Sequence, residues 1–230
     1  MMRQSINKQR IYFYLIILFF TSTSFNFTTV LKFKDINLIK NIDIKGLDYK
    51  EEDQLRDKLN ILKNSNIFFI KKEKIENILN IFNFLDNFYI HKVFPSKLIV
   101  YTKKTNFLGI SIIDGKKYYI GSNGKLTIAS QVSKEENLPM VFGNFSVNDF
   151  LKFRKILEKE NIDLNKINKY FYYKSKRWDL VDDKGLILML PYNNIIEALK
   201  IYKNLSKNEI ASSVKIIDLR IPNNLILTNE

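Results

Sequence analysis

From Ile11 to Leu31 the chain carries no charged side chain, and this stretch constrains the architecture more than any other. At a helical rise of about 1.5 Å per residue it reaches roughly 30 Å, the thickness of one hydrocarbon core. Twelve of its side chains are Ile, Leu, Phe or Val. Each favours insertion by about 0.3–0.6 kcal/mol near the bilayer centre, against smaller penalties from the Thr21–Ser24 run and Asn26. Arg3, Lys8 and Arg10 precede the stretch, so the positive-inside tendency predicts a cytoplasmic tail over 1–10 and a transmembrane helix over 11–31; Lys32 and Lys34 pull the other way. A cleaved signal peptide is the rival reading, because the densest apolar run, Ile11–Phe20, has the length of an h-region. No small-x-small cleavage pattern follows Phe20, where Thr-Ser-Thr-Ser leads into Phe25 and Phe27, and this favours a retained anchor. Both readings export residues 32–230.

The exported part has room for one or two small domains and little for an elaborate enzyme. Only 7 Gly and 4 Pro stand among 46% hydrophobic residues, so most of it is expected to pack rather than remain disordered. Cysteine is absent, which removes disulfides, thiolate zinc sites and a cysteine nucleophile. With His91 the single histidine, a histidine metal centre or a catalytic triad is not expected either, and no catalytic residue, cofactor or metal is assigned. The formal charge of +13 raises nucleic acid as a partner. Against it, only six of the 37 basic residues are Arg, the lysines are spread along the chain, and Asn and Ile are enriched beside them. That pattern is a compositional bias, with weak attraction to anionic headgroups a compatible extra.

Ile42, Ile44 and Leu47 around Lys45-Gly46 predict a short strand ending at a glycine turn. A helix follows, with Asp48 as its cap, Glu51 completing a capping-box-like start, and Leu55, Leu59 and Leu62 as one apolar stripe. A second helix begins near Lys71, where Ile75, Ile78, Leu79 and Phe82 repeat at the spacing of a buried face. Phe88–Phe94 and Lys97–Lys103 then predict two strands hinged at Pro95-Ser96. The segments Ile42–Leu47, Asn66–Ile70 and Val93–Val100, the last with its Phe-Pro-x-x-Leu-x-Val step, resemble a POTRA domain (β-α-α-β-β). One departure is plain: after the last strand the family usually has an acidic residue and a proline, where this chain has Lys103, Lys104 and Asn106.

Downstream, Ile112–Gly115, Tyr118–Ile120, Asn123-Gly124 and Leu138–Gly143 predict strands and a hairpin. Ser146 and Asp149 open a helix bearing Val147, Phe150, Leu151 and Leu157. Strands return over Tyr170–Leu190, broken at Asp183-Lys184-Gly185; a helix over about 194–205 buries Ile195, Ala198, Leu199, Tyr202 and Leu205; Val214–Leu227 is extended. Arg177–Leu180, Gly185 through Leu190-Pro191, and Ile217–Arg220 are similar, in order, to the second domain of the FtsQ/DivIB family of bacterial cell division proteins. The resemblance implies an α+β protein. Its parts are a transmembrane helix, a POTRA domain over 32–108, and over 109–230 a second α/β domain with a mainly antiparallel sheet and flanking helices. Other POTRA carriers continue into more repeats and a long barrel, for which the stretch after Gly143 is too short.

Bland roles suit most of the notable polar residues. His91 fits a strand surface, Asp182-Asp183 a glycine turn, Trp178 a core or sheet-face anchor, and Asp218 with Arg220 a pair on one face of a strand. The family resemblance adds a function: a non-enzymatic, inner-membrane scaffold at the division septum, exposed to the periplasm, that docks FtsB and, through it, FtsL. Its docking surface would comprise Ile221, Asn223, Asn224, Leu225, Ile226 and Leu227, with Lys176, Arg177 and Trp178 on the matching strand. An unpaired sheet edge accepts a strand from another chain, which is the physical basis of that expectation. Pro222, which lacks an N–H, and Asn223-Asn224 equally suit a hairpin tip, with Leu225 onward as the edge strand. The alternative is a POTRA chaperone for exported polypeptides, working through the edge of the first sheet. Nucleic acid and small-molecule substrates are not expected partners.

Overall fold

The structure is a computed structural model and describes residues 8–23, 37–207, 214–221 and 224–229. A 16-residue helix, α1 (Lys8–Thr23), exposes its apolar side chains all round and is roughly 24 Å long. The remainder of the expected span, 24–31, lies outside the described residues. Among the described residues no helix is long and apolar enough to cross a membrane.

The first layer follows the expected order: β1 (Asn41–Lys45), α2 (Tyr49–Leu59), α3 (Lys72–Leu79), β2 (Leu85–Val93) and β3 (Lys97–Lys104). They form a three-stranded sheet ordered β1-β3-β2, with β1 parallel and β2 antiparallel to β3. Leu55, Leu59, Leu62, Ile75 and Leu79 are fully buried against Ile42, Ile44, Leu98 and Val100, so the two helical stripes cover one sheet face as their spacing requires. Gly46 is obligatory at the end of β1: its φ is +98°, and a Cβ there would fall 2.0 Å from the Thr102 carbonyl oxygen.

The second layer contains β4 (Phe107–Ile113), β5 (Lys116–Gly121), β6 (Leu126–Ile128), β7 (Met140–Phe142), α4 (Val147–Lys159), β8 (Ile167–Tyr172), β9 (Trp178–Asp182), β10 (Ile187–Met189), α5 (Ile195–Lys207), β11 (Ile216–Asp218) and β12 (Ile226–Thr228). Its nine strands run β12-β11-β10-β9-β8-β7-β4-β5-β6. The sheet is mixed but, as expected, mainly antiparallel: β4–β7, β7–β8 and β10–β11 pair in parallel and the other five pairings are antiparallel. The β7–β8 and β10–β11 pairs are joined through α4 and α5, and a helical crossover returns the chain to the same end of the sheet. Both helices pack on one face, burying Val141, Tyr170, Leu180, Leu188 and Ile217 beneath Phe150, Phe153, Leu157, Ala198 and Leu199.

Ser146 caps α4 as expected, its Oγ accepting from the Asp149 N–H at 3.1 Å. Replacing Ser146 with Ala is expected to lower stability by about 1 kcal/mol, read as a shift in the urea midpoint. Asp48 behaves otherwise: its side chain accepts no helix N–H and instead binds Lys104 Nζ at 3.3 Å. Glu51 is not a capping-box partner. It is fully buried between the layers, where Oε1 accepts from the Ser133 N–H, Oε2 from Ser133 Oγ, and Lys104 Nζ lies 2.9 Å from Oε1. Lys104 also reaches Glu135 at 2.9 Å, and Lys50 Nζ donates to the Val132 carbonyl. Val132, Ile110 and Tyr119 of the second layer belong to the same buried cluster as α2 and α3, so the two layers share a core.

Candidate docking edge

β12 is the last strand of the sheet. Its inner side pairs with β11 in the register Ile216↔Thr228, Ile217↔Leu227 and Asp218↔Ile226, and among the described residues no strand pairs with its outer side. Alternation puts Leu227 on the helix-covered face beside buried Ile217, and Ile226 on the open face beside Asp218. Ile221, Asn224, Leu225, Ile226 and Leu227 are all exposed; Pro222 and Asn223 lie outside the described residues. β11 and β12 pair antiparallel, and the edge strand starts at Ile226 rather than at Ile221. Ile221 and Asn224 border a cleft against Glu197, Ala198 and Ile201 of α5.

The three residues expected on the companion strand have separate fates. Trp178 does not belong to the surface. It is 3% exposed and stacks on Phe153 with ring centres 5.1 Å apart, beside Tyr172 at 4.7 Å. Arg177 is engaged within the chain: its guanidinium lies 4.1 Å over the Tyr173 ring, and its Nε is 3.5 Å from Asp179. Lys176 is exposed, at a left-handed turn position with φ of 61°. Three strand spacings separate β9 from β12, roughly 14 Å, so the structure does not bring Lys176 beside Ile226.

Two carboxylates flank Met189 across the strands between these positions. Asp218 is gripped by Arg220 through Nε and Nη2, the latter at 2.6 Å, and this hydrogen bonding holds its carboxyl below the usual range. Burial pushes the Asp179 carboxyl up, against the pull of Arg177. Each carboxylate is thus compensated by an arginine two residues away in its own stretch of chain. Asp182, in the expected turn, accepts from the Lys184 and Leu186 N–H groups, and His91 is exposed on β2.

Residues 37–103 match the FtsQ-type POTRA domain, and residues 112–220 match the carboxyl-terminal region of cell division protein FtsQ/DivIB. The chain is 27% identical over 198 residues to cell division protein FtsQ of Rickettsia bellii (strain RML369-C), covering 85% of this chain and 72% of that one. FtsQ of Rickettsia felis (strain ATCC VR-1525 / URRWXCal2) is 26% identical over 89% of this chain and 76% of its own. Cell division protein DivIB of Clostridium botulinum (strain Hall / ATCC 3502 / NCTC 13319 / Type A) is 32% identical over 48% of this chain and 43% of its own. The two matched regions follow one another along the chain and take in both layers of the fold, and with these relatives they place the chain in the FtsQ/DivIB family of cell division proteins.

Proposed function

We propose that the chain is a non-enzymatic scaffold of the bacterial division machinery that accepts a strand from FtsB, itself partnered with FtsL, along β12. One helix across 11–31 holds it in the inner membrane at the septum, with the amino terminus in the cytoplasm and residues 32–230 in the periplasm, POTRA domain first. Through these partners it connects early and late division proteins with septal cell-wall synthesis. The observation that carries the docking is the unpaired outer side of β12, with Leu225, Ile226 and Leu227 exposed along it. The three-residue β12 and its flanks offer about two to four new backbone hydrogen bonds, each netting roughly 1 kcal/mol, well short of the about 8 kcal/mol of a micromolar complex. Burial of Ile226 on one face and Leu227 on the other supplies the rest, at up to about 1.5–3 kcal/mol each. Lys176, exposed three strands away, would meet an acidic stretch of the partner only if that stretch continued past β12 across the sheet.

Replacing Ile226 with Glu is expected to abolish co-purification with FtsB from solubilised membranes while leaving the thermal unfolding temperature unchanged. Undiminished binding rejects this edge. A fluorescent fusion of the full chain should concentrate at mid-cell during constriction. A second reading, a chaperone for exported polypeptides, is favoured by β2, a nine-residue strand that is likewise an edge of its sheet. Deleting residues 221–230 separates the two, because a chaperone working through β2 keeps its clients.

A further inference from the structure

The chain arrives at one end of the first layer and leaves by the other. The Ile39 N–H donates to the Ser65 carbonyl at 3.0 Å, Ile67 to Asn37 at 2.8 Å, and Lys40 to Ser96 at 2.8 Å. The incoming segment, the 63–70 loop and the β2–β3 turn therefore share one end, and β3 runs from it toward Lys104 and the second sheet. Three aromatic rings stand in solvent there. Phe68, Phe69 and Phe94 are 55%, 75% and 53% exposed, and Phe68 stacks on Phe94 with ring centres 4.4 Å apart. The core beneath is already filled by Ile39, Leu62, Ile67 and Ile70, so the fold does not need these rings outside it.

The loop and the turn that carry them are basic, with Glu73 the first acid after Lys72 and Asp35 in the segment before Asn37. Neither 59–72 nor 92–97 contains Asp or Glu, whereas Lys40, Lys63 and Lys71 are exposed. The neighbouring Asp43 is neutralised by Lys97 at 2.6 Å. Aromatic rings sit favourably at the headgroup level of a bilayer, and lysines beside them are drawn to anionic lipid. Leu31, the end of the expected span, precedes Asn37 by six residues, a tether of at most about 20 Å.

We propose that this end of the first layer docks on the anionic surface of the bilayer, Phe68, Phe69 and Phe94 at headgroup level and Lys40, Lys63 and Lys71 on lipid phosphates. The docking rests on the membrane anchor proposed above. The chain has no cysteine, so single introduced thiols label without background. The full-length protein, reconstituted in phosphatidylglycerol–phosphatidylethanolamine vesicles, takes a nitroxide at Leu18→Cys in α1, at Phe69→Cys, or at Tyr49→Cys. Tyr49 is 85% exposed and lies at the opposite end of the layer. Oxygen and a water-soluble nickel chelate then report each label's surroundings. Positions 18 and 69 are expected to be lipid-like and position 49 water-like. Position 69 should turn water-like in phosphatidylcholine vesicles, and also when Phe68→Ser and Phe94→Ser remove the neighbouring rings. Each Lys→Gln change at 40, 63 or 71 should lower its docked-to-free ratio about five-fold. A water-like label at 69 beside a lipid-like label at 18 overturns the docking and leaves the anchor standing. Water at 18 overturns the anchor, and the docking with it. Protection of 69 from both reagents marks contact with a second copy and overturns lipid docking.

Discussion

Replacing Trp178 with Ala is expected to lower the stability of the second layer by about 3–5 kcal/mol, a large fraction of the about 5–15 kcal/mol available to a typical domain. The indole is the hub of an aromatic cluster: Phe153 stacks on it with planes 5° apart, and Phe145, Phe150 and Tyr172 meet it at 5.8, 6.0 and 4.7 Å. Truncation removes a contact from each ring at once, and α4 cannot close the gap because its other buried side chains are seated against Tyr170 and Val141. Urea unfolding followed by far-ultraviolet circular dichroism gives the magnitude, and an unchanged midpoint would show that the cluster collapses freely. The conservative Trp178→Phe keeps much of the packing, so it should retain the FtsB binding proposed above. Loss of binding in that variant, with the fold intact, would assign the indole a contact with the partner.

Glu51→Ala is expected to cost roughly 3 kcal/mol, because the half-buried Ser133 N–H and hydroxyl lose their acceptor at about 1–3 kcal/mol each, offset where water enters. Lys104 keeps Glu135 and Asp48, which limits the loss. The effect should depend on pH in a defined direction. Burial opposes ionisation of Glu51, but hydrogen bonds from Lys104 and Ser133 outweigh it and hold the carboxyl below its ordinary value. A carboxyl lowered on folding stabilises above its unfolded value, and that stabilisation disappears as pH falls through the folded one. The gap in unfolding midpoint between the parent chain and Glu51→Ala should therefore be full at neutral pH and shrink below about pH 4. A gap that widens in acid would refute the assignment.

Local rules recovered what is locally determined. The stripes Leu55-Leu59-Leu62 and Ile75-Leu79, the Ser146 cap, the Asn123-Gly124 hairpin and the Asp183-Lys184-Gly185 break each fall where spacing and turn chemistry put them, because their causes lie within a few residues. Glu51 shows where that logic stops. Its spacing from Asp48 is that of a capping box, yet Ser133, the partner that claims its carboxylate, lies 82 residues away. One trace was visible in advance. The paired lysines Lys103-Lys104 close the last strand of the first layer, and in the fold Lys104 is the cation that meets Glu51, Glu135 and Asp48. The parallel pairings also had a signal, since β7-α4-β8 and β10-α5-β11 are strand-helix-strand units, which return a strand in the same direction. Among the residues expected to dock a partner, residue type alone did not separate Trp178, which points into the core, from Lys176 two positions earlier, because alternation fixes a face only once the strand's start is known.

Because Val132, Tyr119 and Ile110 are buried with α2 and α3, no hinge of free chain separates the two sheets. The distance from Ile39 to the outer side of β12 is then set by side-chain packing. A strand added there, as proposed above, would keep a set distance from the first layer, and a pull on it would pass through packed rings and aliphatic chains instead of being absorbed by slack.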